Sequence, residues 1–346
     1  MTQKTVLITG GTGYFGTLLS NAAFLQGYNV RVFDINKPTN KNLDRMEFYQ
    51  GDIREPDAVR NACAGANIVL HNVAQVPLAK NSELFRTVNR IGTQVILESA
   101  LDAGIEKVVY TSSSAVFGVP DSNPVNESTP PKPAESYGQA KLHGELLCKE
   151  FIDKGLNVSI VRPRTILGHG RLGIFQVLFE WVRCGQNIPV LGSGDNIYQF
   201  IHADDLCEII LRVAARKKPD TYNAGATNFC SMRETLEGLT THAKTKSKVK
   251  SLPLKPLEIG MNIASTIGLS PLGKYHSLMY GRSLFFDNSK VLKDLKYKTK
   301  HDNISAICDS YDWYLDNYRQ INMSSGGSPH QKAVKQGILK LGGYLI

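Results

Sequence analysis

Tyr137 and Lys141 stand four residues apart in the segment SYGQAKLHGELL. At that spacing two side chains project from one face of a helix. A free phenol has a pKa of about 10, and a neighbouring ammonium group favours its ionised form. A tyrosinate can accept the proton of an alcohol while hydride passes from the same carbon to a cofactor. The pair therefore predicts alcohol oxidation, with Lys141 lowering the pKa of Tyr137 and a hydroxyl of the preceding segment TSSS holding the substrate oxygen.

Four glycines fall within the eight residues TGGTGYFG, directly after the apolar run Val6–Ile8. Gly10, Gly13 and Gly16 have the spacing GxxGxxG, which allows a tight turn, a close approach of the backbone to a pyrophosphate, and close packing of helix on strand. The free N–H groups and positive end of the following helix favour an anion. This segment predicts a dinucleotide site.

Asp34 ends the next predicted strand, Tyr28–Phe33, about 20 residues after the glycine turn. A carboxylate at this place accepts hydrogen bonds from a ribose diol, and its charge repels a 2′-phosphate. We therefore expect NAD rather than NADP.

Strand and helix patterns alternate along the first half of the chain. Apolar runs predict strands, and apolar positions at helical spacing predict helices; the segments are Asn67–Ala74, Leu84–Gly104, Lys107–Ser114 and Asn157–Pro163, with a last amphipathic helix over Asn303–Tyr318. Repeated β–α units predict an α/β fold, a Rossmann-type doubly wound parallel sheet with a smaller C-terminal substrate-binding lobe, and a ligand at the carboxyl ends of the strands. We expect an NAD-binding domain over 1–165 completed by later sheet elements, a substrate lobe over 166–320, and a linker and tail over 322–346.

The composition suits a soluble globular protein, with 42% hydrophobic and 21% charged residues among 346. The net charge of +9 fits an anionic substrate or surface. Neither an RNP-like aromatic strand nor a zinc-finger spacing accompanies it, so we expect no nucleic-acid partner. Six scattered cysteines without CxxC spacing predict reduced thiols and no metal site. With no secretory segment and no run of about 18 apolar residues, we expect a cytoplasmic protein.

These motifs together resemble the extended short-chain dehydrogenases/reductases of the NAD-dependent epimerase/dehydratase family. The resemblance covers about residues 1–320 and is carried by TGGTGYFG, GDI, HNVAQ, VNRIGT, TSSSAVFG, YGQAK, VRPRTILG and FIHADDL. It implies a catalytic set of Ser113, Tyr137 and Lys141, with Lys141 also contacting the nicotinamide ribose. It further implies a homodimer and cofactor contacts from the following residues: Gly10, Gly13, Tyr14, Phe15, Gly16, Asp34, Asp52, Ile53, Val73, Ala74 and Asn89.

Departures from the family pattern narrow the range of possible reactions and leave the substrate class open. Family dehydratases carry an Asp–Glu pair after the catalytic hydroxyl, where this chain has Ser114 and Ala115, so we do not expect water elimination. Where the family often binds a substrate diphosphate, this chain has Thr165 and Tyr198, while Arg282 matches the later arginine that grips the diphosphate. Arg164 and Arg171 are further candidates for that role.

Three functions stay open. The first is oxidation of a secondary alcohol at C4 of a nucleotide-linked sugar, as an epimerase or as a one-way dehydrogenase or reductase. The second is the same chemistry on an apolar alcohol, as in 3β-hydroxysteroid dehydrogenases, because the segment Leu252–Tyr280 is unusually apolar. The third is a non-catalytic NAD-binding protein, which has no need of the tyrosine–lysine pair. A basic amphipathic pattern over 332–346 is typical of a segment that lies on an anionic membrane surface or docks on the enzyme, and a frayed tail is the alternative.

Overall fold

A computed structural model of the chain describes residues 3–74, 82–253 and 281–323. Its centre is a seven-stranded sheet in which every pairing is parallel. In chain order the sheet contains β1 (Thr5–Thr9), β2 (Asn29–Asp34), β3 (Glu47–Gln50), β4 (Ile68–His71), β5 (Lys107–Thr111), β6 (Val158–Pro163) and β10 (Thr221–Ala224). Most of these strand residues are buried, as expected of a sheet covered on both faces.

The strand order is β10-β6-β5-β4-β1-β2-β3. The chain moves outward in one direction from β1 to β3, then returns and continues outward from β4 to β10. The order reverses between β1 and β4, which pair in register from Val6 against Ile68 to Thr9 against His71. In open sheets of this kind the ligand lies outside the carboxyl ends of the strands, at this point of reversal. The predicted doubly wound parallel sheet is confirmed.

Nine helices of the described ranges flank the strands: α1 (Tyr14–Leu25), α2 (Pro56–Cys63), α3 (Ser82–Asp102), α4 (Ser136–Asp153), α5 (Ile174–Arg183), α6 (Ala203–Ala214), α7 (Met232–Ala243), α8 (Ser289–Leu295) and α9 (Asn303–Met323). One apolar core joins the sheet to α1, α6 and α8. A second core joins its other face to α2, α3 and α4. The sheet is thus a layer between two layers of helices.

A third core lies among the later elements, with residues of α5, α7 and α9. Two small parallel pairs belong to this part of the chain, β7 (Thr165–Leu167) with β9 (Phe200–His202) and β8 (Ile188–Leu191) with β11 (Val249–Leu252). The domain boundary at residue 165 stays a prediction, and β10 of the later segment completes the central sheet.

Several predicted bounds were wrong by a few residues. The strands β4 and β5 end at His71 and Thr111, earlier than expected, because the chain there turns into loops at the carboxyl edge. Helix α1 begins at Tyr14, inside the segment TGGTGYFG rather than after it. The apolar segment Leu252–Tyr280, apart from its first two residues, and the tail over 332–346 lie outside the described residues.

All six cysteines belong to the described ranges, and each is a free thiol. A search of the described helices finds none with the length and apolar character that crossing a membrane requires.

Candidate active site

The glycine turn joins β1 to α1 and requires residues without a side chain. Gly10 has φ +70°, a left-handed conformation that glycine adopts at little cost. Its amide donates to the carbonyl oxygen of Phe33 in β2 at 2.8 Å. A Cβ on Gly16 would overlap the carbonyl oxygen of Gly10, so helix and turn touch backbone to backbone. Only glycine permits this approach at residue 16.

The start of α1 presents backbone N–H groups. Gly13 is the N-cap residue and has no side chain to accept from them, and the first turn has no acidic residue. Such a helix end favours an anion. A Cβ on Gly10 would lie 3.2 Å from the Val73 backbone nitrogen, so the segment after β4 runs beside the turn. Ala74 follows it and is half-buried.

The two aromatic residues of the turn face the protein. Tyr14 is buried, and its hydroxyl donates to the carbonyl oxygen of Leu167 at 3.5 Å. Phe15 packs against the core that contains α1. The turn therefore offers a ligand its backbone, while both rings attach it to the fold.

Asp34 stands at the carboxyl end of β2, beside the turn. One carboxylate oxygen accepts from the Thr12 amide at 3.1 Å and the other from the Asn36 amide at 3.0 Å. A carboxylate offers about four lone-pair sites, so each oxygen retains capacity for a ribose hydroxyl. The residues of this turn fit a dinucleotide with an unphosphorylated ribose.

The other predicted cofactor residues lie nearby in different settings. Asp52 forms an ion pair with Arg54 at 2.6 Å, and that hydrogen-bonded guanidinium lowers the pKa of the carboxyl. Ile53 is buried, and a Cβ on Gly92 would collide with its side chain. Asn89 is buried within α3. Contacts of Asp52, Ile53 and Asn89 with the cofactor remain predictions.

Tyr137 lies in the first turn of α4, at the carboxyl edge of β5. Glu135 caps this helix by accepting from the Tyr137 and Gly138 amides, each at 2.7 Å. Burial raises the pKa of Tyr137 to about 12, and a side-chain hydrogen bond with Ser113 acts in the opposite direction. Among charged neighbours, Glu135 raises this pKa and Arg171 lowers it. The structure thus brings together Ser113 and Tyr137, two of the three predicted catalytic residues.

Lys141 is buried one turn further along α4. Its Nζ donates to the carbonyl oxygen of Thr111 at 2.8 Å and lies 5.0 Å from the centre of the Tyr110 ring. Burial lowers the pKa of this ammonium to about 8, and the nearby Cys148 and Glu145 partly offset the shift. The lysine therefore lies at the strand end from which the Ser113 segment continues.

A buried ion pair fixes α4 against the sheet. Glu145 accepts from Arg162 at 2.8 and 2.6 Å and from the Ser112 hydroxyl at 2.6 Å. The arginine and glutamate side chains are 5% and 1% exposed, so their charges compensate each other away from water. Because Glu145 is on α4 and Ser112 directly follows β5, this network positions Tyr137 relative to Ser113.

Ser113 itself begins the short 3-10 helix Ser114–Phe117. It has extended backbone angles, and its Oγ accepts from the Ala115 amide at 3.1 Å. Ser114 is buried and receives a hydrogen bond from Arg164 at 2.9 Å. The hydroxyl that is hydrogen-bonded to Tyr137 therefore belongs to Ser113, the residue that the family resemblance implies as catalytic.

The predicted substrate residues lie in different surroundings. Thr165 and Tyr198 are hydrogen-bonded to each other through their hydroxyls at 2.9 Å. Arg282 is exposed, and its carbonyl oxygen accepts from Asn196 at 3.3 Å. Arg164 is 1% exposed and donates to the carbonyl oxygen of Gln199, so it lies in the protein interior. Their contacts with a substrate stay predictions.

Two residues that act on Tyr137 were not assigned to it by the sequence reasoning. Glu135 precedes the helix start, where a negative charge is favourable, although glutamate is not among the residues preferred as caps. Arg171 was considered only for a diphosphate, because nothing in its spacing ties it to Tyr137. The favourable charge of Glu135 could have been found from the sequence, whereas the effect of Arg171 on the pKa of Tyr137 depends on how the later segment folds.

Histidine and aspartate side chains also cluster near the start of α6. His202 accepts from the Asp204 amide at 3.2 Å through Nδ1, and its Nε2 lies 3.1 Å from Asp309. Asp205 accepts from Tyr297, from two backbone amides and from His301. His202 is thus occupied in linking the start of α6 to α9, and Asp205 in tying α6 to the segment between α8 and α9.

Comparison with known proteins agrees with this arrangement. Residues 6–225 match the model of the NAD dependent epimerase/dehydratase family. The chain is 52% identical over 344 residues to the protein y4nG of Sinorhizobium fredii, covering 99% of this chain and 86% of the relative. It is 29% identical over 208 residues to the mouse sterol-4-alpha-carboxylate 3-dehydrogenase, decarboxylating, covering 59% of this chain and 57% of that protein.

A UDP-glucose 4-epimerase of Mycolicibacterium smegmatis is 27% identical over 224 residues, or 60% of this chain and 72% of that enzyme. Among solved structures, UDP-glucose 4-epimerase of Thermotoga maritima superposes with a TM-score of 0.76 at 19% identity, covering 91% of this chain and 99% of that one. The matched segment includes the glycine turn, Asp34, Ser113, Tyr137 and Lys141. The chain therefore belongs to the NAD-dependent epimerase/dehydratase family, and it is an enzyme whose cofactor is NAD.

Proposed function

We propose that this enzyme oxidises a secondary alcohol of a nucleotide-linked sugar at C4, using Ser113, Tyr137 and Lys141. The observation that carries the proposal is the hydrogen bond between Ser113 and Tyr137 at the end of β5. The glycine turn lies at the same edge of the sheet, because all seven strands run parallel. The hydroxyl, the phenol and the dinucleotide turn thus lie at one edge of the sheet.

The mechanism assigns one task to each residue. The phenolate of Tyr137 takes the proton from the alcohol oxygen, while Ser113 donates a hydrogen bond to that oxygen as it becomes a carbonyl. Lys141 presents a positive charge at the strand end, which favours the phenolate. When bound, NAD supplies the acceptor for the hydride that leaves the carbinol carbon.

The fate of the ketone decides whether the overall reaction is epimerisation, net oxidation or elimination of water. In an epimerase the keto sugar turns over and takes hydride back on its other face, so no net redox change occurs. Ser114 and Ala115, both buried, stand where family dehydratases carry an Asp–Glu pair. Without those carboxylates we do not propose water elimination.

The test combines two measurements on the purified enzyme. Nucleotides released on denaturation identify the bound cofactor, and UDP-glucose or UDP-galactose is then incubated with the enzyme. Interconversion of the two sugars, with retained NAD, would establish an epimerase. Formation of NADH with one sugar would establish a dehydrogenase. If neither sugar nucleotide reacts, the proposal is wrong.

A second candidate is oxidation of a 3β-hydroxysteroid or related sterol. It is favoured by the similarity to sterol-4-alpha-carboxylate 3-dehydrogenases, 30% identical over 208 residues for the human protein. The same catalytic residues would act, because the reaction is again the oxidation of a secondary alcohol. Oxidation of such a sterol in the absence of activity on UDP-sugars would select this candidate.

We also propose that the enzyme forms a homodimer through α3 and α4. These two helices pack side by side. Each carries an exposed apolar residue, Ile91 at 42% and Leu146 at 48% exposure. Light scattering should give a dimer, and a monomer would contradict this. Membrane contact through 332–346 remains a separate proposal, and liposome binding that survives removal of 324–346 would refute it.

A further inference from the structure

His169 lies in the loop between β7 and α5, and two glycines bring that loop over His202. Gly168 and Gly170 have φ +119° and +83°, conformations that glycine adopts at little cost. A Cβ on Gly168 would lie 2.8 Å from Nε2 of His202, so the backbone runs directly over that ring. The Gly168 amide also donates to the Ser310 hydroxyl of α9 at 2.7 Å. The loop is thus fixed against β9 and α9 at His169.

Two carboxylates lie beside these two imidazoles. Nε2 of His169 is 3.8 Å from one oxygen of Asp204, and Nδ1 of His202 is 3.9 Å from the other. The remaining ring nitrogens lie near Asp309, at 3.7 Å for Nδ1 of His169 and 3.1 Å for Nε2 of His202. Each imidazole therefore has one nitrogen toward Asp204 and the other toward Asp309.

The hydrogen bonds of His202 fix where its proton lies. Its Nδ1 accepts from the Asp204 amide at 3.2 Å, so in the neutral ring the proton is on Nε2, which donates to Asp309. His169 can adopt the corresponding tautomer, with its Nδ1–H directed to Asp309. The lone pairs of both rings then lie on the side of the Asp204 carboxylate, together with its oxygens.

Protein cations do not balance these carboxylates. Within the described ranges, neither Asp204 nor Asp309 forms an ion pair with a lysine or an arginine; their charged partners are the two histidines. Both nitrogens of His169 lie beyond hydrogen-bond distance of the carboxylates at 3.7 and 3.8 Å. A divalent ion on the Asp204 side would compensate both negative charges and give the His169 lone pair a partner.

We propose that His169, His202 and Asp204 bind a divalent transition-metal ion such as Zn²⁺, with Asp309 as the acceptor that orients both imidazoles. One ligand atom from each of the three lies within 4.8 Å of the others. Zinc has bonds of about 2.0–2.1 Å to such atoms, so tetrahedral ligands are about 3.3 Å apart. The site must therefore contract by about 0.5 Å, which the half-exposed His169 and the exposed Asp204 permit.

The donor atoms select the class of ion. Imidazole nitrogens suit zinc, nickel and copper, whereas Mg²⁺ and Ca²⁺ prefer oxygen ligands. Histidines that bind a metal commonly donate their other N–H to a carboxylate, and Asp309 has this relation to both rings. The cysteine spacing predicts no metal site, and this set contains no cysteine.

The neighbouring group of His202, Asp205 and His301 is less suited to an ion, although its atoms are equally close. Asp205 already accepts from the Tyr297 hydroxyl, from two backbone amides and from the His301 ring. A carboxylate offers about four lone-pair sites, so these bonds use the whole group. The metal therefore belongs on the Asp204 side of His202.

Binding would join elements that are far apart in the chain. His169 belongs to the loop after β7, whereas His202 and Asp204 belong to β9 and the first turn of α6. The ion replaces the Asp204 amide at Nδ1 of His202, and that amide, beside an exposed side chain, gains water instead. Because the Tyr14 hydroxyl donates to Leu167 at the start of the same loop, the ion would brace the loop on which the glycine turn rests.

The test titrates the full chain, without an affinity tag and after dialysis against a chelator. Calorimetry should show one Zn²⁺ bound per chain with a dissociation constant of about 10 μM or lower. Zinc at about 100 times that concentration should raise the thermal midpoint, whereas Mg²⁺ should not. Bound Co²⁺ should show the visible absorption of a site with nitrogen ligands.

Three substitutions locate the ion. His169→Gln and Asp204→Asn each remove a ligand and should weaken Zn²⁺ binding by about 100-fold or more, whereas Asp309→Asn should weaken it by about 10- to 100-fold. His242→Gln is the matched control, because His242 pairs with Asp312 at 2.8 Å on the exposed surface of α7. It should keep the affinity of the unchanged protein. Thermal midpoints without metal verify that all four variants are folded.

Three results would overturn the inference. The first is the absence of both binding heat and a midpoint shift when Zn²⁺ is added to the unchanged protein. The second is equal Zn²⁺ affinity in His169→Gln, Asp204→Asn and the control, which would assign the ion to other groups such as the exposed Cys184 thiol. The third is an equal effect of Mg²⁺, which would mean that the carboxylates alone attract the ion. None of these results depends on which alcohol the enzyme oxidises.

Discussion

The Nζ atom of Lys141 donates to the carbonyl oxygen of Thr111 at a distance of 2.8 Å. Thr111 is the last residue of β5, and Ser113 stands two residues beyond it. One hydrogen bond therefore ties the helix that carries Tyr137 to the strand that leads to its hydroxyl partner. Because Lys141 is buried, this bond is shielded from water and holds the register of α4 against β5.

Removal of the Ser113 hydroxyl should shift the pH dependence of the reaction. Tyr137 reacts as a phenolate, and burial raises its pKa to about 12, whereas the hydrogen bond with Ser113 lowers it. Oxidation should therefore speed up as the pH rises, and Ser113→Ala should move this rise to higher pH. The pH profile of kcat measures the shift. Ser128→Ala, at an exposed position, is the control; identical profiles for the two variants would remove Ser113 from the mechanism.

Substitution of Gly16 should abolish cofactor binding. A Cβ there would overlap the carbonyl oxygen of Gly10, and only a shift of the backbone could relieve this. Gly65 is the comparison, since it has φ +72° and open space around its Cα. Gly65→Ala should cost about 1 kcal/mol in stability and still bind NADH. Fluorescence titration with NADH decides the matter, and full binding by Gly16→Ala would contradict this view of the turn.

The charge of Asp34 should set the choice between the two nicotinamide cofactors. Asp34→Asn keeps the size of the side chain but removes the charge that repels a 2′-phosphate. We expect the affinity for NADH to fall about tenfold and that for NADPH to rise, because a charged hydrogen-bond acceptor becomes neutral. Parallel titrations with the two cofactors measure both changes. An unchanged ratio of affinities would mean that another residue makes the choice.

The buried pair of Glu145 and Arg162 should contribute strongly to stability. Glu145→Gln leaves the arginine without its counter-charge, and removal of one partner of a buried pair costs about 3–5 kcal/mol. Urea unfolding measures the loss. Asp57→Asn breaks the exposed pair with Arg60 and should leave the free energy of unfolding nearly unchanged. Equal effects of the two substitutions would show that burial of the first pair carries no energetic weight.

The sequence predicted the parts of the fold that depend on local pattern. The strands β1, β4, β5 and β6 were predicted because a largely apolar run is typical of a buried parallel strand. The seventh, Thr221–Ala224, is short and comes after the pattern loosens, so its place beside β6 depends on packing that no local signal encodes. The glycine turn and Asp34 were also predicted from local pattern, because both have fixed places in a β–α–β unit.

The candidate site was only partly predictable for the same reason. Tyr137 and Lys141 are a helical pair, and Ser113 follows a strand, so their meeting needs only the sheet order. Thr165 and Tyr198 are 33 positions apart, and their mutual hydrogen bond arises because β7 pairs with β9. Arg171 lowers the pKa of Tyr137 from the loop after β7, and nothing in the sequence predicts the path of that loop.

The central claim is that the phenol of Tyr137 carries the proton of the reaction. Tyr137→Phe removes that hydroxyl and keeps the ring, so the fold and the glycine turn stay as they are. The decisive measurement is kcat beside the dissociation constant for NAD in this variant. We expect kcat to fall by about 10³-fold or more with the dissociation constant within about twofold. Turnover at the rate of the unchanged enzyme would contradict the mechanism.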